Sequence, residues 1–202
     1  MIRNWVGQTD DEDFYELCDE SGLLIWDDFW LANPVDGPDP ADPELFLDSA
    51  RDKIKRYRNH PSIALWCGRN EGRPPAVIDQ GLAKAIAELD GTRRYQPTSN
   101  DDGVHGNGPY SYNPPEYYFE TRAHGFSTEV GLPSIPTVEG VSQMMPAQDR
   151  WPISRSWGYH DYTGGACGAV NYASIMTSRY GAPSGLADFC RKGQMINYET
   201  QG

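Results

Sequence analysis

Two glutamates occupy similar settings in this chain of 202 residues. Glu71 closes the run Ile63-Ala64-Leu65-Trp66-Cys67-Gly68-Arg69-Asn70, and Glu129 closes Gly125-Phe126-Ser127-Thr128. Each is an acid at the end of an apolar run, where burying a carboxylate is costly unless it has a use. They lie 129 − 71 = 58 residues apart. A pair of carboxyl groups can cleave a glycosidic bond: one protonates the leaving oxygen while the other attacks the anomeric carbon, and a retaining enzyme holds them roughly 5–5.5 Å apart. Asn70, beside Glu71, is placed to donate a hydrogen bond to a sugar hydroxyl. Most of the 29 acidic residues are expected to be solvated surface groups. Position alone leaves these two open to that reading as well.

The elements that must position these residues follow from pattern. A helix is expected from Asp10 to Glu20, capped by Thr9 or Asp10 and closed by Gly22, with Phe14, Leu17 and Cys18 on one face. Leu23-Leu24-Ile25-Trp26 is a short apolar run ending at Asp27-Asp28, the signature of a strand buried on both faces in a parallel sheet. Asn33 to Asp42 reads as a loop. Asp42-Pro43-Glu44 starts a helix that runs to about Asn59 on Leu47, Ala50, Ile54 and Tyr57, with Lys53, Lys55, Arg56 and Arg58 complementing the dipole in its last turns. Ile63 to Cys67 is a second buried strand. A third helix spans about Ala76 to Asp90, with Ile78, Leu82, Ile86 and Leu89 on one face. The polar stretch from Arg93 to Asn100 holds a short strand, and Asp101 to Pro115 reads as loop. Gly125 to Val130 is another strand end. A helix is expected over Val138–Met145, and two more over about Ala169–Tyr180 and Ser184–Tyr198. Strands alternating with helices indicate α/β architecture. In a parallel β/α barrel the strand ends share one face, and that face would gather Asp28, Asn70, Glu71 and Glu129.

Composition excludes several functions. The net charge of −12 repels phosphate backbones, so nucleic acid is not an expected partner. No run of about 18 apolar residues marks a membrane span. The 6 Trp and 12 Tyr suit either sugar stacking or ordinary core packing. Cys18, Cys67, Cys167 and Cys190 are scattered among apolar neighbours and are expected to be buried thiols. His105, His124 and His160 have no metal-ligand spacing, so neither a metal nor a cofactor is expected. Gly103–Gly108 matches no phosphate loop.

Arg58-Asn59-His60-Pro61-Ser62-Ile63-Ala64-Leu65-Trp66-Cys67-Gly68-Arg69-Asn70-Glu71 resembles the segment of glycoside hydrolase family 2 that ends the fourth barrel strand, whose Asn-Glu carries the acid/base. Gly125-Phe126-Ser127-Thr128-Glu129-Val130-Gly131 resembles the strand-seven segment of that family, whose Glu is the nucleophile. Asp13 to Glu20 with Gly22 to Phe29 looks like its second helix and third strand, and Met1 to Trp5 like the end of its second strand. Asn107-Gly108-Pro109-Tyr110 with Tyr112 and Pro114-Pro115 is similar to the exo-β-D-glucosaminidase branch. So are Ile135-Pro136-Thr137 with Met144-Met145, and Ser178 to Pro183 with Arg191 to Gln194. Plant-type endo-β-mannosidases share part of this pattern. Asn70-Glu71 departs from the motif often found in the glucosaminidase branch, which keeps β-mannosidase open.

The resemblance implies an incomplete (β/α)8 TIM barrel covering about strands two to seven, within residues 1–202 of a larger multidomain enzyme. The remaining barrel strands and β-sandwich domains would belong to the parent chain. An open barrel leaves strand edges exposed, so the chain by itself is expected to be weakly stable or self-associating, and inactive. The implied activity is retaining hydrolysis of a terminal β-linked glucosaminide or mannoside in an oligosaccharide or glycoside. Glu71 and Glu129 would be the catalytic pair, in a periplasmic or secreted parent. The alternative is an inactive carbohydrate-binding or scaffold module. Asp28, Asn70, Tyr110, Trp157 and His160 are the candidate substrate contacts. For all but Asn70 there is a plainer role: bracing for Asp28, packing for Trp157, loop packing for Tyr110 and Tyr112, and a structural hydrogen bond for His160.

Overall fold

The computed structural model describes residues 1–106, 108, 110, 112–122, 125–131, 134–160, 162 and 172–201. Cys167, His124, Asn107 and Pro109 lie outside the described residues, as does the expected helix start at Ala169. The chain divides into two compact units, residues 1–106 with 125–128, and residues 107–124 with 129–202.

The first unit is built on parallel strands β1 (Ile2–Asn4), β2 (Ile25–Asp28), β3 (Ile63–Arg69) and β4 (Arg94–Thr98), in the order β1-β2-β3-β4. Helices α1 (Glu12–Ser21), α2 (Pro43–Tyr57) and α3 (Ala76–Leu89) form the connections. Strand order that follows chain order is the winding of a β/α barrel rather than of a doubly wound sheet. β5 (Val104–His105) and β6 (Phe126–Ser127) form a separate parallel pair. β5 falls in a stretch expected to be loop.

The helices begin and end where side chains satisfy their open backbone groups. Asp11, not Thr9 or Asp10, caps α1 by accepting from Asp13 N, and Gly22 closes it at φ 64°. Asp42 accepts from Glu44 N and Leu45 N at the start of α2. The helices pack Tyr15, Cys18, Ala50, Ile54, Tyr57, Ile78, Leu82 and Ile86 onto Ile25, Ile63 and Trp66 of the sheet. Two expectations change here. Leu17 is exposed and Tyr15 is buried in its place, while Cys18 stays buried and Phe14 packs against the core, so the buried face of α1 shifts toward Tyr15. Lys53 does not sit in solvent at the end of α2: it is buried, and its Nζ lies 3.0 Å from Asp27 Oδ1, 2.9 Å from Asp10 Oδ1 and 3.2 Å from the Asp28 carbonyl.

β2 also begins two residues later than expected. Leu23 and Leu24 are exposed, whereas Asp27 and Asp28 are strand residues with no exposed surface. Two successive aspartates inside a strand point to opposite faces. Each therefore needs its own set of donors, and each has one.

In the second unit the described elements are α4 (Pro115–Tyr117), a π-turn over Tyr118–Arg122, α5 (Val138–Met144), α6 (Ala147–Arg150), a 3-10 turn over Arg155–His160, α7 (Tyr172–Tyr180) and α8 (Leu186–Gln201). Their core gathers Ile135, Val141, Met145, Trp157, Tyr172, Met176, Phe189, Cys190 and Ile196. No helix among the described residues is long and apolar enough to cross a membrane.

Asp90 locks the C-terminal end of α3 to the sheet. It accepts from Trp66 Nε1 and from Arg93 Nη1, both at 2.8 Å, and from Thr92. Burial raises its pKa, but these donors outweigh burial and bring it from 3.8 to about 2. A carboxyl depressed in the folded state stabilises above its unfolded pKa and loses that contribution as pH falls through the folded one. In urea unfolding, Asp90→Asn should therefore lower stability by about 2 kcal/mol at pH 7 and by roughly half of that at pH 3. A gap independent of pH would show that the donors do not favour the ionised form.

Candidate active site

β3 ends at Arg69, and Asn70 and Glu71 form the turn that follows. The strand can end in this way because Gly68 has no side chain. A Cβ there would stand 2.4 Å from Tyr95 Oη and 2.7 Å from the Pro97 carbonyl. Arg69 is buried and points to the loop after β2, where Nε donates to the Ala32 carbonyl at 2.8 Å and Nη1 pairs with Asp39 at 2.6 Å. That loop supplies Asn33, whose Nδ2 lies 3.4 Å from Glu71 Oε2.

Glu71 is half-buried and has φ 47°, the left-handed region that a residue with a Cβ enters at a cost. Ser99, just past β4, helps hold it there: its hydroxyl accepts from Glu71 N at 2.9 Å. Such local strain persists only where the surroundings over-determine it, and it concentrates at functional positions.

Asn70 is 3% exposed. Its backbone N–H donates to the Leu31 carbonyl at 3.0 Å. Its side-chain oxygen accepts from Arg3 Nη2 at 2.8 Å and from Ser99 Oγ at 3.3 Å. A guanidinium has no acceptor, so the Asn70 atom facing Arg3 must be the oxygen. The amide NH2 then points the other way, with no partner among the described residues, as a donor for a ligand.

Arg3 in turn is held by Asp28. Nη2 lies 2.7 Å from Oδ2 and Nε 3.3 Å from Oδ1. Asp28 also accepts from Trp26 Nε1 at 2.8 Å and from Val6 N at 3.0 Å. Both of its oxygens are therefore occupied by protein donors. Asp28 braces Arg3, which in turn orients Asn70.

Glu129 and Tyr110 belong to the second unit and meet there. The Tyr110 hydroxyl donates to Glu129 Oε2 at 2.6 Å, and both residues are half-buried. Thr128, which precedes Glu129, belongs to the first unit and donates from Oγ1 to the Ser99 carbonyl at 2.7 Å. Of the two roles open to Trp157, packing is the one seen. Trp157 is 2% exposed, stands edge-on to Tyr162 and Phe189, and donates from its indole to the Arg150 carbonyl at 3.2 Å. His160 is exposed at the end of its 3-10 turn.

Cys18, Cys67 and Cys190 are buried free thiols, and burial pushes the Cys67 thiol well up from its usual range, away from the reactive thiolate. Among the described residues no group of three His, Cys, Asp or Glu side chains is placed to hold a metal ion.

The pattern missed Arg3, Ser99, Asn33 and Arg69. Ser99 was within reach: it follows a strand end, as Asp28 was expected to. Arg3 sits in a strand of only 3 residues and carried no such signal.

The model of the glycosyl hydrolases family 2 TIM barrel domain matches residues 9–106. These residues belong to that family. The likeness to individual members extends over nearly the whole chain. A mannosylglycoprotein endo-β-mannosidase of Lilium longiflorum is 33% identical over 98% of this chain and 26% of its own length. An exo-β-D-glucosaminidase of Streptomyces avermitilis is 29% identical over 96% of this chain and 24% of its own. The crystal structure of a β-D-mannosidase from Dictyoglomus thermophilum superposes with a TM-score of 0.75 at 26% identity, covering 96% of this chain and 27% of that one. The chain thus spans about a quarter of the length of these relatives. Its α/β fold is part of a TIM barrel, with the parallel strands in barrel order and no closed barrel among the described residues.

The strain at Glu71 gives a test. Glycine adopts a positive φ without the Cβ penalty, though it gains freedom when unfolded. Glu71→Gly should be more stable than Glu71→Ala, which keeps the Cβ, by about 1 kcal/mol in urea unfolding. Equal stability of the two variants would show that the turn is not strained.

Proposed function

We propose that this chain carries the two catalytic carboxyl groups of a retaining β-glycosidase, with Glu71 as acid/base and Glu129 as nucleophile, within the barrel domain of a larger family 2 enzyme. The observation that carries the reading is the setting of Asn70-Glu71. A strained glutamate follows a buried asparagine whose amide is turned outward by Arg3 and Ser99, at the C-terminal ends of parallel strands. The hydrogen bond from Tyr110 to Glu129 supports the second role, because a hydroxyl donor orients a carboxylate for attack.

In this reading Glu129 attacks the anomeric carbon while Glu71 gives its proton to the leaving oxygen. A covalent glycosyl-enzyme forms, and Glu71, now ionised, takes a proton from the water that hydrolyses it. Asn70 donates its free amide N–H to a hydroxyl of the sugar being cleaved. Arg3 and Asp28 are positioning residues. The relatives act on mannosides and glucosaminides by name, and the substrate proposed here is a β-linked sugar of one of these two kinds.

A panel of chromogenic β-glycosides tests this on the full-length enzyme, with Glu71→Gln and Glu129→Gln beside it. Turnover of a mannoside or glucosaminide is expected, falling about a thousandfold or more in both variants. A glycoside with a good leaving group should lose less in Glu71→Gln than in Glu129→Gln, since it needs no proton to depart. A folded enzyme whose turnover survives either substitution would sink the assignment. A folded enzyme that turns over no glycoside would point to a binding module.

A further inference from the structure

The second unit contains a groove of about 500 Å³ that the catalytic reading does not use. Its walls are the rings of Tyr112 and Pro114 on one side and one face of α7 on the other. That face presents Ser174 and Ser178 one turn apart, with Ile175 and Arg179 beside them. Ser178 is exposed, Ile175 is half-buried, and Tyr112 packs against the second core.

The electrostatics of the groove are close to neutral. The Arg179 guanidinium lies 5.8 Å from the centre of the Tyr112 ring and 5.6 Å from that of Tyr180, and it forms an ion pair with Glu199. Its charge is therefore compensated, and an anion entering the groove would compete with Glu199. The Tyr112 hydroxyl is buried, so Tyr112 presents its ring rather than its hydroxyl to the groove. Burial pushes its phenol upward in spite of Arg179.

Flat apolar rings facing a row of hydroxyls and a guanidinium match the two kinds of surface on a pyranose: the C–H faces and the equatorial hydroxyls. Position along the chain supplies the link to substrate. Tyr112 is two residues from Tyr110, the donor to Glu129 Oε2, and two residues of chain span at most ~7 Å. The segment that touches the proposed nucleophile thus goes on to form a wall of the groove.

We propose that this groove binds a neutral pyranose ring of the oligosaccharide substrate, one other than the ring that is cleaved. The proposal rests on the reading of Glu129 as nucleophile. It predicts that the enzyme prefers an extended neutral saccharide to a simple glycoside, and that this preference resides in residues remote from the bond broken.

The test uses β-1,4-mannobiose and N,N′-diacetylchitobiose as neutral probes and a galacturonic acid disaccharide as the anionic one, with binding followed by titration calorimetry and saturation-transfer NMR. Ser178→Trp fills the groove from an exposed position, so the fold should persist, with an unchanged circular dichroism spectrum as the check. A neutral disaccharide should bind about tenfold more weakly to Ser178→Trp, and two- to threefold more weakly to Ser178→Ala, which removes a single hydroxyl. In the full-length enzyme Ser178→Trp should raise KM for the disaccharide about tenfold and leave that for an aryl glycoside unchanged. Equal affinity in wild type and Ser178→Trp, no binding of either neutral probe at millimolar concentration, or preference for the uronic acid would each overturn the proposal. The aryl glycoside has no second sugar. Its turnover in Glu71→Gln and Glu129→Gln therefore judges the catalytic reading separately from the groove.

Discussion

Arg3 reaches from β1 across to β2 and β3, and the order of the first unit's strand ends depends on that one cation. Its guanidinium spans Asp28 Oδ2 at 2.7 Å and Asn70 Oδ1 at 2.8 Å, with 12% of the side chain exposed. Removing the guanidinium would strand a fully buried carboxylate, which costs several kcal/mol. Lysine would be a poor replacement. Nη2 alone bonds both partners while Nε holds the other Asp28 oxygen, and an ammonium lacks that second, planar donor to fix its direction toward Asn70. The same contact sets which atom of Asn70 faces outward, so one side chain both holds the strand ends together and orients the amide proposed to meet the sugar.

The neighbouring residue solves the opposite problem. Asp27 faces the helices, and it too is fully buried. It is matched by Lys53 at 3.0 Å, Tyr15 Oη at 2.8 Å and Asn4 Nδ2 at 2.9 Å. Burial and the Asp27 charge push the Tyr15 phenol far above its ordinary range, so it stays a donor. An apolar pair of similar volume would often hold two layers together at least as well as a buried ion pair. What the charges add is registry. Lys53 has acceptors only where Asp27, Asp10 and the Asp28 carbonyl converge, so α2 can dock on β2 in one position along its axis. Fixing Asp27 from outside fixes Asp28 on the inside, because they are consecutive in one strand.

The readable part of the fold was the part written in local chemistry. The Asp42-Pro43-Glu44 start of α2, the Gly22 stop of α1 and the apolar face of α3 can each be inferred from a few adjacent residues. The α/β alternation follows from them. The buried charges were harder to read. Lys53 has cationic neighbours at Lys55 and Arg56, and its group looks like ordinary dipole complementation. The partner of Lys53 is 26 residues away. Asp27 and Asp28 ended an apolar run and therefore resembled the polar residues beyond a strand, although both lie within it. β5 spans only 2 residues and carries no periodicity of its own. The same limit applies to the site. Asn70 and Glu71 were visible because they close a strand, and Asp28 was visible for the same reason but with a different role. Arg3 and Ser99 act through contacts 67 and 29 residues distant, which no window of sequence contains.

Glu71 shows why so much of the first unit is spent on so few atoms. A glutamate on an exposed turn would sample several rotamers, and a left-handed backbone alone would relax to an easier conformation. Ser99 accepts its amide proton, Gly68 allows Tyr95 and Pro97 to press against the strand just before it, and Arg69 fastens the loop that brings Asn33 to its carboxylate. None of these contacts is strong singly, since a neutral hydrogen bond contributes about 1 kcal/mol net. Together they outweigh a backbone penalty of roughly 1–2 kcal/mol and leave the carboxylate with little freedom. In the acid/base role proposed for Glu71, restricting that freedom before substrate arrives lowers the entropy still to be lost on the way to reaction, which is where a fixed acid gains over a mobile one.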